Sequence, residues 1–221
     1  MFTADTTTLT TQGTKTFQEL ENTPFQAILN GNIFPSYGTR CVGLRDFYTL
    51  FNVSAHKLLV TLDQFLVTKD GTPKNVQDFR FREPIRLISN PPIDYEGREL
   101  DIQYFRQQYL DQGRHGDGGL ITIPINLDIP IHERQSTLLR LGVESILIRN
   151  PTKNYAIIGI REESVNNFLT LINVEQHEHA PTTRGSKFRI IEYFDTLPAY
   201  SVIVDGAHAI DANCFYVPDD S

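Results

Sequence analysis

The plainest pattern in the chain is a strict alternation. In "LITIPINLDIPI", residues 120 to 131, Ile121, Ile123, Ile125, Leu127, Ile129 and Ile131 recur at every second position. Successive side chains of a strand point to opposite faces, so this stretch predicts a strand with one buried face. Pro124 and Pro130 lack the amide proton that a ladder needs, and they predict an edge strand or a break. "VESILIRNPTKNYAIIGI" predicts two strands about an Asn-Pro turn, and "KFRIIEYF", "AYSVIVDG" and "CFYVP" predict three more. A second period governs "SAHKLLVTLDQFLV". Ala55, Leu58, Leu59, Leu62, Phe65 and Leu66 fall at helical spacing, with Ser54 placed as an N-cap, and predict a helix near 55–67. "LRDFYTLF" predicts a shorter helix before it. "RELDIQYFRQQYLDQG" predicts a helix ending near Gly113, with Phe105 and Tyr109 on one buried face.

Between these periodic segments the chain is punctuated by turns. Residues 1–22 carry threonine at positions 3, 6, 7, 8, 10, 11, 14 and 16 but few apolar residues, which reads as an extended arm that orders against a neighbouring subunit. "KDGTPKN" is a turn, and adjacent prolines make "NPPIDYEG" an extended loop. "GRHGDGG", residues 113–119, reads as a hinge and a domain boundary. The expected organisation is an arm over 1–22, a mixed part over 23–112 with the helix near 55–67, and a mainly antiparallel part over 113–221. The fold class is α+β and β-rich: an antiparallel sheet, sandwich or barrel with a helical insert in the N-terminal half.

Composition narrows the function classes. The chain has 221 residues, 40% apolar and 21% charged, enough to bury a core of its own. No run of residues is long and apolar enough to span a membrane, and "MFTADTTTLTTQGTK" lacks the basic start and apolar centre of a secretory leader. Synthesis and residence in the cytoplasm are therefore expected. A formal charge of −7 opposes non-specific attraction to nucleic acid. Cys41 and Cys214 stand alone and match no zinc motif.

Two constellations carry candidate chemistry. In "NVEQHEHAPTTRG", His177 and His179 would share one face of a strand and could offer two imidazoles to a metal, with His208 as a third ligand. This His-x-His resembles that of the cupin barrels, and the resemblance would imply a metal-dependent enzyme. Cupins place a glutamate shortly after the second histidine, whereas this chain has Thr182, Thr183 and Arg184. In residues 44–67, two short helices about a small polar turn resemble the helix-turn-helix of winged-helix DNA-binding regulators. The second of these would expose one lysine, Lys57, too little positive charge for several phosphate contacts. No nucleophile elbow, His-Glu-x-x-His or phosphate-binding glycine loop occurs, so no catalytic, cofactor or metal residue is assigned. Proline-blunted strands, a threonine arm and a glycine hinge point instead to a non-enzymatic assembly subunit that docks to protein partners or to copies of itself. A virion component of a tailed phage, in the tail, neck or capsid accessories, fits that character.

Overall fold

The computed structural model describes residues 1–52, 56–88, 93–115, 120–126, 128–149, 155–174 and 185–218. In chain order the strands and helices are β1 (Thr7–Thr10), β2 (Gly13–Thr16), β3 (Phe25–Leu29), β4 (Asn32–Asn52), β5 (Lys57–Val60), β6 (Phe65–Val67), β7 (Pro73–Asn75), β8 (Pro84–Arg86), α1 (Arg98–Gln112), β9 (Arg114–His115), β10 (Ile121–Asn126), α2 (Ile131–Arg140), β11 (Ser145–Arg149), β12 (Tyr155–Ile160), α3 (Glu162–Leu171), β13 (Gly185–Val204), β14 (Ala209–Ala212) and β15 (Phe215–Pro218). Strands dominate, every named pair of strands is antiparallel, and the fold is α+β and β-rich. The chain divides into two compact units. One joins Met1–Ser89 to Thr183–Ser221, and the other spans Asn90–Thr182.

In the first unit a sheet runs in the order β2-β1-β3-β4-β13-β8, with β5 also paired to β4. The threonine-rich start is not an arm. It forms the β1–β2 hairpin, in which Thr7 pairs with Thr16 and Thr10 with Gly13, and β1 is zipped onto β3 through Thr10 and Ala27. Phe2, Leu9 and Phe17 supply the burial that their scarcity seemed to deny, and Phe2 packs edge-on against Phe17 at 5.2 Å. β-branched threonine suits a pleated surface, and its hydroxyls can be satisfied locally. The Thr10 hydroxyl, for example, donates to the Gly13 carbonyl at 2.7 Å.

The helix expected at 55–67 is a strand, a turn and a second strand. β5 pairs with β4 from Phe51↔Lys57 to Tyr48↔Val60, and the chain turns at 61–64 before β6. Leu58, Leu59 and Val60 are all buried, because this strand is covered on both faces. A continuous apolar run of that kind carries no period of two, and leucines one and four apart imitate a helix face. Leu62 is only half-buried and Phe65 is 47% exposed, so the supposed inner face does not exist. "LRDFYTLF" likewise lies within β4. The winged-helix reading of residues 44–67 falls with these helices.

The second unit follows the order α1-β9-β10-α2-β11-β12-α3, with a sheet ordered β11-β12-β10-β9. The alternation predicted here is present. Ile121, Ile123 and Ile125 pair across to Ile160, Ile158 and Ala156, and all six are buried. The period stops at Asn126: Leu127 lies outside the described residues, and Ile131 already begins α2. Pro124 is not on an edge strand. β12 pairs along the whole of β10, and β9 reaches only Ile121 and Thr122 on its other side. The proline therefore falls where that second side has lost β9. α1 matches the expected helix, capped by Gly113, whose N–H donates to the Tyr109 carbonyl at 2.7 Å. Phe105 is fully buried, and Tyr104 and Tyr109 pack on the same core as Phe168 and Ile172. Of the glycine-rich stretch read as a hinge, Gly113 ends α1 inside this unit, and residues 116–119 lie outside the described residues. Among the described residues the α-helices fall within residues 98–171, so the helical part of the N-terminal half is α1 and not the expected helix near 55–67.

A polar cluster sits between α1 and α2. The Arg134 guanidinium stacks on the Tyr104 ring at 3.9 Å and donates to both carboxylate oxygens of Asp128 at 3.1 and 3.0 Å. The Tyr95 hydroxyl donates to Asp101 at 3.0 Å. Burial lifts the Asp101 carboxyl above its ordinary range, against the opposing pull of Tyr95, Arg134 and Arg140. A carboxyl raised in the folded state holds its proton more tightly there than in the unfolded chain. Below the unfolded pKa both states are protonated and the group is neutral to stability. As pH rises past that value and through the folded pKa, ionisation costs the folded state free energy. Asp101→Asn is therefore expected to raise the melting temperature of this unit at about pH 7, and the gain should vanish near about pH 3.5. Thermal melts of both proteins at the two pH values check this.

Candidate functional site

Of the three histidines singled out from sequence, His208 alone is among the described residues. His208 sits in a turn with φ +51° and is exposed. His177 and His179, the other two histidines of the cupin reading, lie outside the described residues. Among the described residues no cluster of three or more His, Cys, Asp or Glu is placed to hold a metal. Cys41 is exposed, Cys214 is buried, and both are free thiols.

What the first unit does build is a cradle for its own N-terminus. Phe2 exchanges two backbone hydrogen bonds with Tyr200 of β13, at 3.0 and 2.8 Å, and also bridges to Val60 of β5. Phe47, Leu59 and Ala199 form an apolar bed against which Met1 and Leu197 pack. The Met1 amino group donates to Oε1 of Gln64, the last residue of the turn before β6. His56, the residue before β5, is fully buried in the same unit. Next along the chain, the Thr3 hydroxyl donates to the Asp5 carboxylate at 2.5 Å and lies 3.1 Å from the Thr6 hydroxyl.

The C-terminal hairpin closes over this segment. β14 and β15 are joined by Asn213 and Cys214, both with positive φ, +48° and +71°. Two such residues in a two-residue connection match the twist of the flanking strands. Asparagine tolerates this backbone, whereas Cys214 occupies the place usually given to glycine. The Asp211 carboxylate steadies the turn by accepting the Cys214 N–H at 2.7 Å. Asn213 then ties the two ends of the chain together. Its Oδ1 accepts from the Thr7 N–H at 2.8 Å and the Thr7 hydroxyl at 2.9 Å, and its own N–H donates to the Thr7 carbonyl at 2.9 Å. β15 in turn packs beside β6, the strand that follows Gln64. Sequence reasoning missed Met1, Gln64 and Asn213, although "DANCF" between two short apolar runs is a legible hairpin signal.

Strand pairing alone does not name a fold, whereas likeness of the whole chain to solved structures does. No protein-family profile matches it, and no curated protein does. Among solved structures it is similar to an Ssp DnaB mini-intein variant, with a TM-score of 0.53 at 12% identity, covering 100% of this chain and 98% of that one. It is similar to a DnaB intein from Synechocystis sp. PCC 6803, with a TM-score of 0.52 at 11% identity and coverages of 100% and 98%. It is also similar to the gp41-1 intein, with a TM-score of 0.51 at 9% identity and coverages of 98% and 96%. These neighbours overturn the virion subunit expected from sequence, whose main support was an arm that is in fact a core hairpin. At such low identity the likeness is one of fold, and the fold of this chain is that of the inteins.

Proposed function

We propose that the first unit is an intein-type, protein-splicing scaffold that holds the two junctions of a host polypeptide side by side. The observation that supports this is the convergence on β6. The Met1 amino group is bound by the residue before that strand, and β15, the last described strand, runs beside it. Excision with joining is an acyl transfer between two junctions, and it needs their reacting atoms within bonding reach. A fold that brings residue 1 and β15 to one strand meets that need. Residue 1 itself, however, is methionine. A thioether has no proton to surrender, and its attack on a carbonyl would leave a sulfonium, so Met1 is no acyl acceptor. Residue 1 of this sequence carries no side-chain nucleophile.

The test places the chain between two reporter domains. The Met1 precursor is expected to stay intact at its N-terminal junction. The Met1→Cys precursor, which supplies a thiol in the same bed, is expected to release the N-terminal reporter as a thioester when an external thiol is added. Gel and mass analysis read the fragment. A Met1→Cys precursor that keeps its melting transition and gives no thiol-dependent cleavage overturns the reading.

A further inference from the structure

We propose that the cavity between the β1–β2 turn and the β3–β4 pair binds one pyranose ring of an uncharged sugar. It shares no residue with the cradle of residue 1 and does not depend on the intein-type reading. The cavity holds about 350 Å³ and is lined by three short stretches, 10–12, 24–26 and 35–37. That volume lies at the lower end of small-molecule sites and suits a single ring. Its aromatic wall is set by a bulge. Ser36 pairs with Val204 and Thr39 with Val202, so Tyr37 and Gly38 together face Ile203 alone. A bulge of this kind re-aims a side chain, and Tyr37 is left 73% exposed beside the cavity. The bulge is locked in place. Gly38 has φ +103°, and a Cβ there would meet the Thr23 nitrogen at 2.6 Å. The Ser36 hydroxyl donates to the Ile203 carbonyl at 2.8 Å and accepts from the Gly38 N–H at 3.3 Å. Pro24 and Pro35 add walls of fixed φ.

The lining chemistry selects the ligand. None of these residues is charged, so an ion entering the cavity would lose hydration without gaining a partner. The side chains of Thr11, Gln12, Gln26 and Tyr37 make no hydrogen bond to another described residue. Each carboxamide carries donors and an acceptor, and each hydroxyl is both at once. A ring of vicinal hydroxyls offers the same mixture in return. Its C–H face also suits the negative face of the Tyr37 ring. A peptide added as a strand fits poorly here. The Thr11 N–H is already bonded to the Gln26 carbonyl at 3.1 Å, Gln26 pairs with Pro35, and Pro35 has no N–H. Recognition must therefore run through side chains.

Titration of the full chain, followed by NMR, tests this with the methyl glycosides of glucose, galactose and mannose. The side-chain amide signals of Gln12 and Gln26 and the ring signals of Tyr37 should shift saturably with at least one of them, at a dissociation constant of about 1 mM. Tyr37→Ala should weaken that binding about tenfold, whereas Tyr37→Phe should keep it within about twofold. Gln26→Leu should weaken it about fivefold. Both positions are exposed, so these variants should melt with the parent protein. Glucuronate, a similar ring with a carboxylate, should bind about tenfold more weakly, and maltotriose no more tightly than a single ring. Absence of a saturable shift below about 0.1 M glycoside, or binding unchanged in Tyr37→Ala, overturns the proposal. Glucuronate bound as tightly as the glucoside, or affinity that rises with chain length, overturns the assignment to one uncharged ring.

Discussion

Deleting residues 1–16 abolishes the cooperative unfolding of the first unit. That is the expected result, because the segment contributes two fully buried side chains, Phe2 and Leu9, and leaves Phe17 without its ring partner. Truncating a buried leucine to alanine costs about 2–5 kcal/mol and a phenylalanine about 3–5. The deletion also removes the whole β1–β2 hairpin from beside β3 and the Thr7 contacts of Asn213. Against a total stability of about 5–15 kcal/mol, the loss is as large as the whole. Thermal melting followed by near-ultraviolet circular dichroism provides the measurement. A truncated protein that melts at the native temperature would mean that the hairpin is an appendage.

In the second unit the largest single effect is expected from Phe168→Ala. Phe168 lies on α3, is fully buried, and meets the Tyr109 ring edge-on at 5.7 Å. Its removal is expected to cost about 3–5 kcal/mol, since α1, α3 and the β10–β12 pair share the cavity it would leave. For a unit of this size, each kcal/mol lowers the melting temperature by about 4–8 °C. Hydrogen exchange resolves the effect to this unit, with amides of residues 121–126 and 155–160 losing protection. Protection retained there would place the core elsewhere.

The contrast between the two units explains what sequence could and could not tell. In the second, β10 is buried on one face, so Ile121, Ile123 and Ile125 alternate cleanly, and α1 ends at a glycine. In the first, β5 is buried on both faces and shows no alternation, while the threonines of β1 hide a strand whose burial comes from residues 2, 9 and 17. The cradle was less legible still. Its members sit at positions 1, 64, 200 and 213: the pairing of β4 with both β5 and β13 brings Tyr200 near the turn after β5, and Asn213 is held by Thr7. No local spacing encodes such a meeting.

Where the chain leaves and rejoins the first unit carries a consequence for how it folds. Arg86 pairs with Gly185, Ile85 with Ser186 and Pro84 with Lys187, so departure and return are cross-strand neighbours. Seen from the first unit, everything between is one hairpin loop of about a hundred residues, whose closure entropy grows only with the logarithm of its length. Doubling such a loop adds about 0.6 kcal/mol, so this junction is a place where the polypeptide can lengthen at little thermodynamic cost. The cost appears in time instead. β8 and β13 must find each other across a long contour, which makes their pairing a slow, high-contact-order event. Collapse of the intervening residues onto their own core shortens that search, so the order in which the two bodies fold governs how fast the sheet closes.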